Sequence, residues 1–348
     1  MNTATINKLD AELQESLSEI KKRSKVLTLF RVLSFGGSLL YFIGIFIVFN
    51  VTIFTNPEFL NTIDNTTVLY VIIPLFILIT IGSAGSSYYY SKYIYTEQRA
   101  IIKLVNDLFP NSEYTIDKGS FSVSKLMLSN LFGDLEREKV SSYSHGTLKL
   151  PGDKSKIVLN DISLGNSKID YWLSKTSIGT LLVVMKYMFK GIFSKRLEDV
   201  TTNFRGVFNT TTLNKKINGI VIIVPDHLEK HIDYLAKSIQ QLSNREGINL
   251  IKMESVYFEQ QFSVYTTDDI LARYILTPAR MDEILKLKGE YHRDMMFSYA
   301  FNQFYMAISM PEGLLGLDSK KINKDNSVAG FYANVSLAKN VINNLSNI

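Results

Sequence analysis

The chain has 348 residues, 46% hydrophobic and 20% charged, with 38 Lys and Arg against 33 Asp and Glu for a formal net charge of +5. It holds no cysteine, which excludes disulfides, thiolate nucleophiles and Cys-ligated zinc. Its basic residues are spread along the chain and form no stripe interleaved with aromatics. Nucleic acid is therefore not an expected partner, and an anionic bilayer surface accounts for the positive excess.

Ile6, Leu9, Leu13, Leu17 and Ile20 recur at spacings of three and four and predict an amphipathic helix over 6–26. Such a helix can pack on the main domain or form a coiled-coil seam for self-association, for which it is marginally long. From Val32 to Phe54 the run VLSFGGSLLYFIGIFIVFNVTIF has no charged residue. At about 1.5 Å per residue it crosses a hydrocarbon core of roughly 30 Å with room for tilt. It begins too far into the chain, and is too long, for a cleaved signal peptide. A second uncharged run extends from Thr66 to Ser91, with Pro74, Gly82, Ala84 and Gly85 inside it and a tyrosine cluster, Tyr88, Tyr89 and Tyr90, near its end. Ser34, Gly37 and Ser38 in the first run, and Ser83 and Ser87 in the second, permit close helix contact. Neither run carries an ionisable residue, which argues against a proton relay or an ion-coupled transporter.

The flanks set the expected orientation. Lys21, Lys22, Arg23, Lys25 and Arg31 precede the first run, and Lys92, Arg99 and Lys103 follow the second. The connection TNPEFLNTIDNTT has Glu58 and Asp64 and no Lys or Arg. The positive-inside rule then places both termini and the large domain in the cytoplasm, with the chain a multi-pass protein of the inner (plasma) membrane. The expected organisation is an amphipathic helix over 1–26, a transmembrane hairpin over 27–95 with spans near 32–54 and 68–90, and a cytoplasmic domain over 96–348.

Glu97 to Leu108 continues the second span as a polar helix that stops at Phe109-Pro110. Short alternating stretches with turn residues follow around Phe121 to Phe132, Ser144-His145-Gly146, Leu148 to Leu150 and Pro151-Gly152-Asp153, and Lys156 to Ile162 reads as a strand. Ile178 to Phe193, IGTLLVVMKYMFKGIF, stands apart. As a helix it sets Lys186 and Lys190 on one face, with Phe189 elsewhere and Lys195 and Arg196 just beyond, the pattern of a segment lying on anionic lipid. A buried core element is the alternative, and Leu181 to Val184 reads equally well as a strand. Tyr171 and Trp172 before it can anchor at an interface or simply pack.

Phe204 to Thr212 and Ile217 to Val224 predict a hairpin around LNKKIN. Pro225-Asp226 opens a helix, with Glu229 completing a capping-box pattern and Leu228, Ile232, Leu235, Ile239 and Leu242 as its buried stripe. Strands are expected around Ile248 to Tyr257 and Phe262 to Tyr265. Two short helices follow at Thr267 to Leu276 and, capped by Thr277 with Pro278 in the first turn, to Leu287. Met296 to Ala300 and Phe304 to Met310 form a second hairpin, and Tyr332 to Leu345 an amphipathic helix. Strands joined by hairpins with interspersed helices give an α+β fold with a mainly antiparallel sheet.

Several of these blocks resemble a bacterial family catalogued as domain of unknown function 3137. They are Phe204-Arg205-Gly206-Val207-Phe208, Leu213-Asn214-Lys215-Lys216, Pro225-Asp226 and, above all, VYFEQQFSVYTTDDILARYILTPARMDEIL from Val256 to Leu285. Phe297-Ser298 and Tyr305-Met306-Ala307-Ile308 look like its closing hairpin, and Ser129 to Phe132 like its early Ser-x-Leu-Phe element. The resemblance spans most of the chain, including a paired-helix membrane anchor near the N-terminus, and carries over no site because the family has no established activity or catalytic residues; the apolar Ile178 to Phe193 departs from it.

Candidate chemistry is sparse. His227 and His231 are four apart on one helix, but PDHLEKH is not H-E-x-x-H and lacks further ligands, so they are weak metal candidates. Asp268 and Asp269 suit helix capping better than acid–base work. Arg273 and Glu259 are candidates for an internal ion pair. His145 beside Gly146 in a serine-rich turn suggests a Ser–His system without a Gly-x-Ser-x-Gly elbow, and no phosphate loop or dinucleotide fingerprint is present. The leading expectation is a non-enzymatic, membrane-anchored interaction or scaffold protein that binds a protein partner, a second copy or the bilayer surface, with no cofactor. The alternative is a membrane-bound hydrolase with a site assembled from distant residues such as His145, His227 and Asp269. A channel built from the hairpin ranks last because its spans are uncharged.

Overall fold

The computed structural model describes residues 3–50, 70, 72–115, 119–132, 135, 140–152, 156–166, 176, 202–226, 247–311, 313–314 and 327–348. The chain forms two compact units. One comprises Met1–Asp10, Ile101–Trp172 and Thr201–Ile348, and Ala11–Ala100 makes up nearly all of the described part of the other. The segment 178–193, with Lys186, Phe189 and Lys190, lies outside the described residues, as do Lys195, Arg196, Tyr171, Trp172 and the helix expected after Asp226.

Two long helices dominate the second unit, α1 (Thr3–Asn50) and α2 (Ile73–Leu108). No proline interrupts Thr3 to Asn50, so the amphipathic stretch and the first apolar run are one helix. Leu13, Ile20 and Leu27, seven apart, are its buried stripe. The helix α2 ends where Pro110 requires it to, with the Phe109 N–H closing the last turn on the Val105 carbonyl at 2.9 Å. The helices run antiparallel through small residues. A Cβ at Gly82 would stand 2.6 Å from the Ser34 backbone nitrogen and one at Gly37 2.9 Å from Ile79 Cγ1, while Gly85 lies against the Phe30 ring. Phe30 stacks on Tyr89 at 5.3 Å, and Arg23 donates to the Lys92 carbonyl at 3.0 Å. Among the described residues one helix, Lys8–Gly44, is long and apolar enough to cross a membrane, with 17% of its apolar window buried.

The other unit is α+β and is built on one ten-stranded antiparallel sheet. Its strands are β1 (Glu113–Thr115), β2 (Gly119–Ser120), β3 (Val140–Leu150), β4 (Ile157–Asn166), β5 (Thr202–Thr212), β6 (Val221–Pro225), β7 (Asn249–Ile251), β8 (Phe262–Thr266), β9 (Met295–Ala300) and β10 (Gln303–Ser309). They lie in the order β1-β3-β4-β5-β10-β9-β6-β8-β7, with β2 pairing β3. The hairpin expected around LNKKIN does not form. Instead β5 pairs with β10 and β6 with β9, so the β9–β10 hairpin sits between them. The turn of that hairpin decides the local arrangement. Phe301 and Asn302 are both left-handed, at φ 52 and 59, as a two-residue type I′ turn requires. The Asn302 carbonyl accepts from Leu213 N at 3.0 Å and its side-chain Oδ1 from Ile217 N at 2.8 Å. The loop after β5 is therefore wrapped around this tip.

Three other expectations are corrected. Part of Phe121 to Phe132 is helical, as α3 (Val123–Leu128), because Leu126, Leu131 and Phe132 turn inward together onto the sheet. Ser144-His145-Gly146 is a β-bulge within β3, where Ser144 pairs with Ile162 and Gly146 with Asp161. Ile248 to Tyr257 holds only the three-residue strand β7 before α4 (Val256–Glu259), which Ser255 caps by accepting from Phe258 N.

Both sheet faces are covered. Phe204, Phe208, Ile222, Tyr265, Met296 and Tyr305 form the core beneath α3. Tyr299 on the opposite face donates its buried hydroxyl to the Leu345 carbonyl at 2.9 Å, at the end of α7 (Ser327–Leu345). Burial pushes the pKa of that hydroxyl well above the usual tyrosine range, so it remains a neutral donor. The capping expectations hold for α5 (Asp269–Ile275) and α6 (Pro278–Tyr291). Asp268 Oδ1 accepts from Ile270 N at 2.9 Å and Leu271 N at 3.2 Å, and Thr277 Oγ1 from Arg280 N at 3.4 Å. Asp268→Ala is expected to cost about 1 kcal/mol in thermal denaturation and Asp269→Ala only a few tenths. Equal losses would show that capping is not what Asp268 does.

Candidate functional site

Two groups of polar residues stand out in the α+β unit. The first spans β3, β4 and β5 on the face opposite Phe204 and Phe208. Alternation along β4 sends Asp161 and Ser163 to that face, and register sets Ser163 opposite Arg205. The bulge in β3 adds His145, whose Nε2 is 2.7 Å from Ser163 Oγ. Arg205 Nη2 donates to Asp161 Oδ2 at 3.0 Å, and Nη1 lies 2.8 Å from Oδ1 as a charge contact outside hydrogen-bond alignment. Gly146 beside the bulge leaves room for the Tyr114 ring, which a Cβ would strike.

The Ser–His pair suggested by His145 thus exists, but with Ser163, eighteen residues along the chain. Ser163 is 1% exposed and His145 7%, so no acyl or phosphoryl group can reach the hydroxyl in this fold. The carboxylate beside it, Asp161, holds Arg205. The arrangement is a buried polar network that joins three neighbouring strands. Sequence reasoning missed Asp161, Ser163 and Arg205; the signal available was a lone Asp inside the apolar strand IVLNDISL.

The second group lines a cleft of about 270 Å³ at the C-terminal end of α6, among them Tyr257, Gln261, Lys288, His292, Arg293 and Asp294. His292 caps α6 in the left-handed conformation, its N–H bonded to the Lys288 carbonyl at 2.9 Å. Lys288 Nζ donates to the Gln261 carbonyl at 3.3 Å and lies 4.8 Å from the Phe262 ring centroid. Desolvation holds the Lys288 pKa below the usual lysine range, with Asp294 and Asp226 partly offsetting it.

The expected sites are not brought together. His145 lies on β3 and Asp269 follows β8, six ladders away, or roughly 29 Å at about 4.8 Å per strand. Arg273 does not meet Glu259. It pairs with Glu254 at 3.6 Å and donates to the Lys252 carbonyl, while Glu259 Oε1 accepts from Met253 N at 2.6 Å. His227 and His231 lie outside the described residues; among those residues no cluster of three or more His, Asp or Glu side chains is placed to hold a metal ion.

Neither a curated protein nor a solved structure matches the chain. A family model does, over residues 202–347, and its description is "protein of unknown function (DUF3137)". FRGVF lies in β5, FSVYT is β8, ARYILTP joins α5 to α6, and FS and YMAI are in β9 and β10, so the motif-bearing segments are three adjacent central strands, β8 beside the edge strand β7, and the helices that follow β8. From the start of β5 to the end of α7, this chain resembles the DUF3137 family of proteins of unknown function.

Proposed function

We propose that the chain is an integral membrane protein in which α1 and α2 form a transmembrane hairpin, with spans near 32–54 and 68–90. The α+β unit is held in the cytoplasm as a non-enzymatic interaction or scaffold module. One observation carries this reading. The outward surface of the paired helices is apolar, with Leu40, Phe42, Ile43, Phe76, Ile77 and Ile81 all exposed. A soluble monomer does not leave so continuous an apolar band in water, whereas hydrocarbon solvates it. The seam of Gly37, Gly82 and Gly85 supports it, since small residues drive helix association where the hydrophobic effect is absent. Tyr88, 4.4 Å from Lys92 Nζ, has the chemistry of an interfacial belt. A module that binds another protein or a second copy is favoured over an enzyme because the Ser163–His145 pair is sealed.

The chain is expected to stay with membranes through alkaline carbonate and to be released by detergent. Because it has no cysteine, single substitutions report topology. Asn61→Cys should react with a membrane-impermeant maleimide on intact cells, and Glu290→Cys only after permeabilisation. Carbonate release would sink the anchor, and the reverse labelling pattern the orientation. Cross-linking in native membranes should trap a neighbour; a monodisperse monomer with none would count against the interaction role.

A further inference from the structure

The cleft at the end of α6 has a cation short of counter-charge. Lys288 is half-buried, and among the described residues no carboxylate lies within salt-bridge distance of its Nζ; a carbonyl and a ring face hold it instead. Lysines in a last helical turn often just complement the helix dipole. This one donates to the Gln261 carbonyl, on the segment between α4 and β8. Arg293 and His292 line the same small volume, and among the described residues Asp294 is the one carboxylate that lines it. Lysine, arginine and imidazole donors around a partly dehydrated cleft are the chemistry that recognises phosphate oxygens.

The position adds a second argument. Glu283 and Arg280, early in α6, bond Asn344 and Asn347 at the end of α7, so the two helices run antiparallel. The C-terminal end of α6 therefore points toward the start of α7, with Tyr291 near Asn340 and Tyr332. That is where the chain enters the unit: Asp10 accepts from Val328 N at 3.3 Å, and Phe109 stacks on Tyr332 at 5.5 Å. Val256 and Tyr257, next to the cleft, are 69% and 64% exposed, apolar groups that an interface would cover.

We propose that this cleft binds a phosphate-bearing anion through Lys288, Arg293 and His292. An acidic phospholipid headgroup and free phosphate offer the same chemistry; the lipid as source rests on the anchor reading, and the anion itself does not.

The test uses the full chain in nanodiscs of phosphatidylcholine, of phosphatidylcholine doped with phosphatidylglycerol, and of phosphatidylcholine with inorganic phosphate added. Amine acylation is read lysine by lysine by mass spectrometry. Lys288 should be acylated roughly fivefold more slowly when ligand stands at about four times Kd, while Lys286, exposed on the same helix, changes less than about twofold. Protection by phosphatidylglycerol alone identifies a headgroup, and protection by inorganic phosphate a free anion; either supports the site. Arg293→Gln should abolish the protection, and Arg293→Lys, which keeps the charge, should retain most of it. No protection in either arm, protection equal to that of Lys286, or protection that survives Arg293→Gln overturns the proposal. A chain that fails to remain in nanodiscs would sink the anchor while leaving the phosphate arm to be read.

Discussion

Asp161→Ala is expected to destabilise the α+β unit by about 3–5 kcal/mol, the cost of leaving a buried cation without its partner. Asp161 is fully buried and the Arg205 side chain 8% exposed, so water cannot take over the role of the carboxylate. Gly313 packs against the guanidinium and restricts its swing outward. A loss of this size is a large part of an ordinary stability of about 5–15 kcal/mol and should lower the melting temperature by roughly 10 °C. The double variant Asp161→Leu/Arg205→Met removes both charges and should recover most of the loss, since two well-packed apolar groups replace a pair whose desolvation offsets its attraction. Circular dichroism melting of the wild type, Asp161→Ala and the double variant in detergent checks this. If the double variant were as unstable as Asp161→Ala, packing volume rather than charge would be the cause.

The second large effect is expected at Gly206, in the middle of β5. It pairs with Ser309 across the β5–β10 ladder and with Ile162 across β4–β5. A Cβ there would run into the Ile308 carbonyl oxygen, a backbone atom that cannot move without opening the ladder. Gly206→Ala should cost about 3 kcal/mol or more, at the upper end for overpacking, and Gly206→Val should prevent folding. Gly289→Ala is the control, since a Cβ at Gly289 meets nothing within 4 Å; there, in the last turn of α6, alanine should be neutral or slightly stabilising. Soluble yield and melting temperature are the readouts. An unchanged Gly206→Ala would mean that the close approach of β5 to β10 is relaxed in solution.

Legibility in the sequence followed the range of the interactions. Asp268, Thr277 and Pro278 announced their helix starts because a cap acts within one turn. Phe301-Asn302 lacks the Asn-Gly or Gly-Gly signal of a type I′ turn, yet its hairpin was readable from the apolar alternation on both sides. Strand partners were not readable. LNKKIN is a good turn by composition, but Leu213 and Ile217 bond Asn302, some 85 to 89 residues away in the chain. Arg273 found Glu254 rather than Glu259 because Glu259 folds back onto the Met253 amide once α4 forms.

The sequence by itself determined the α+β class, the caps, the closing β9–β10 hairpin and the family resemblance, which was read over most of the chain and which the family model matches over 202–347. Each of these depends on neighbours a few residues apart, or on the match of a long stretch read as a whole. Only the tertiary structure decided that β9 and β10 separate β5 from β6, that Asp161 holds Arg205, that Ser163 is sealed against His145, and that Lys288 faces a cleft. The physical reason is the same for all four. A buried charge or a strand edge takes whichever partner the packed sheet leaves within a few ångströms, and distance along the chain does not limit that choice.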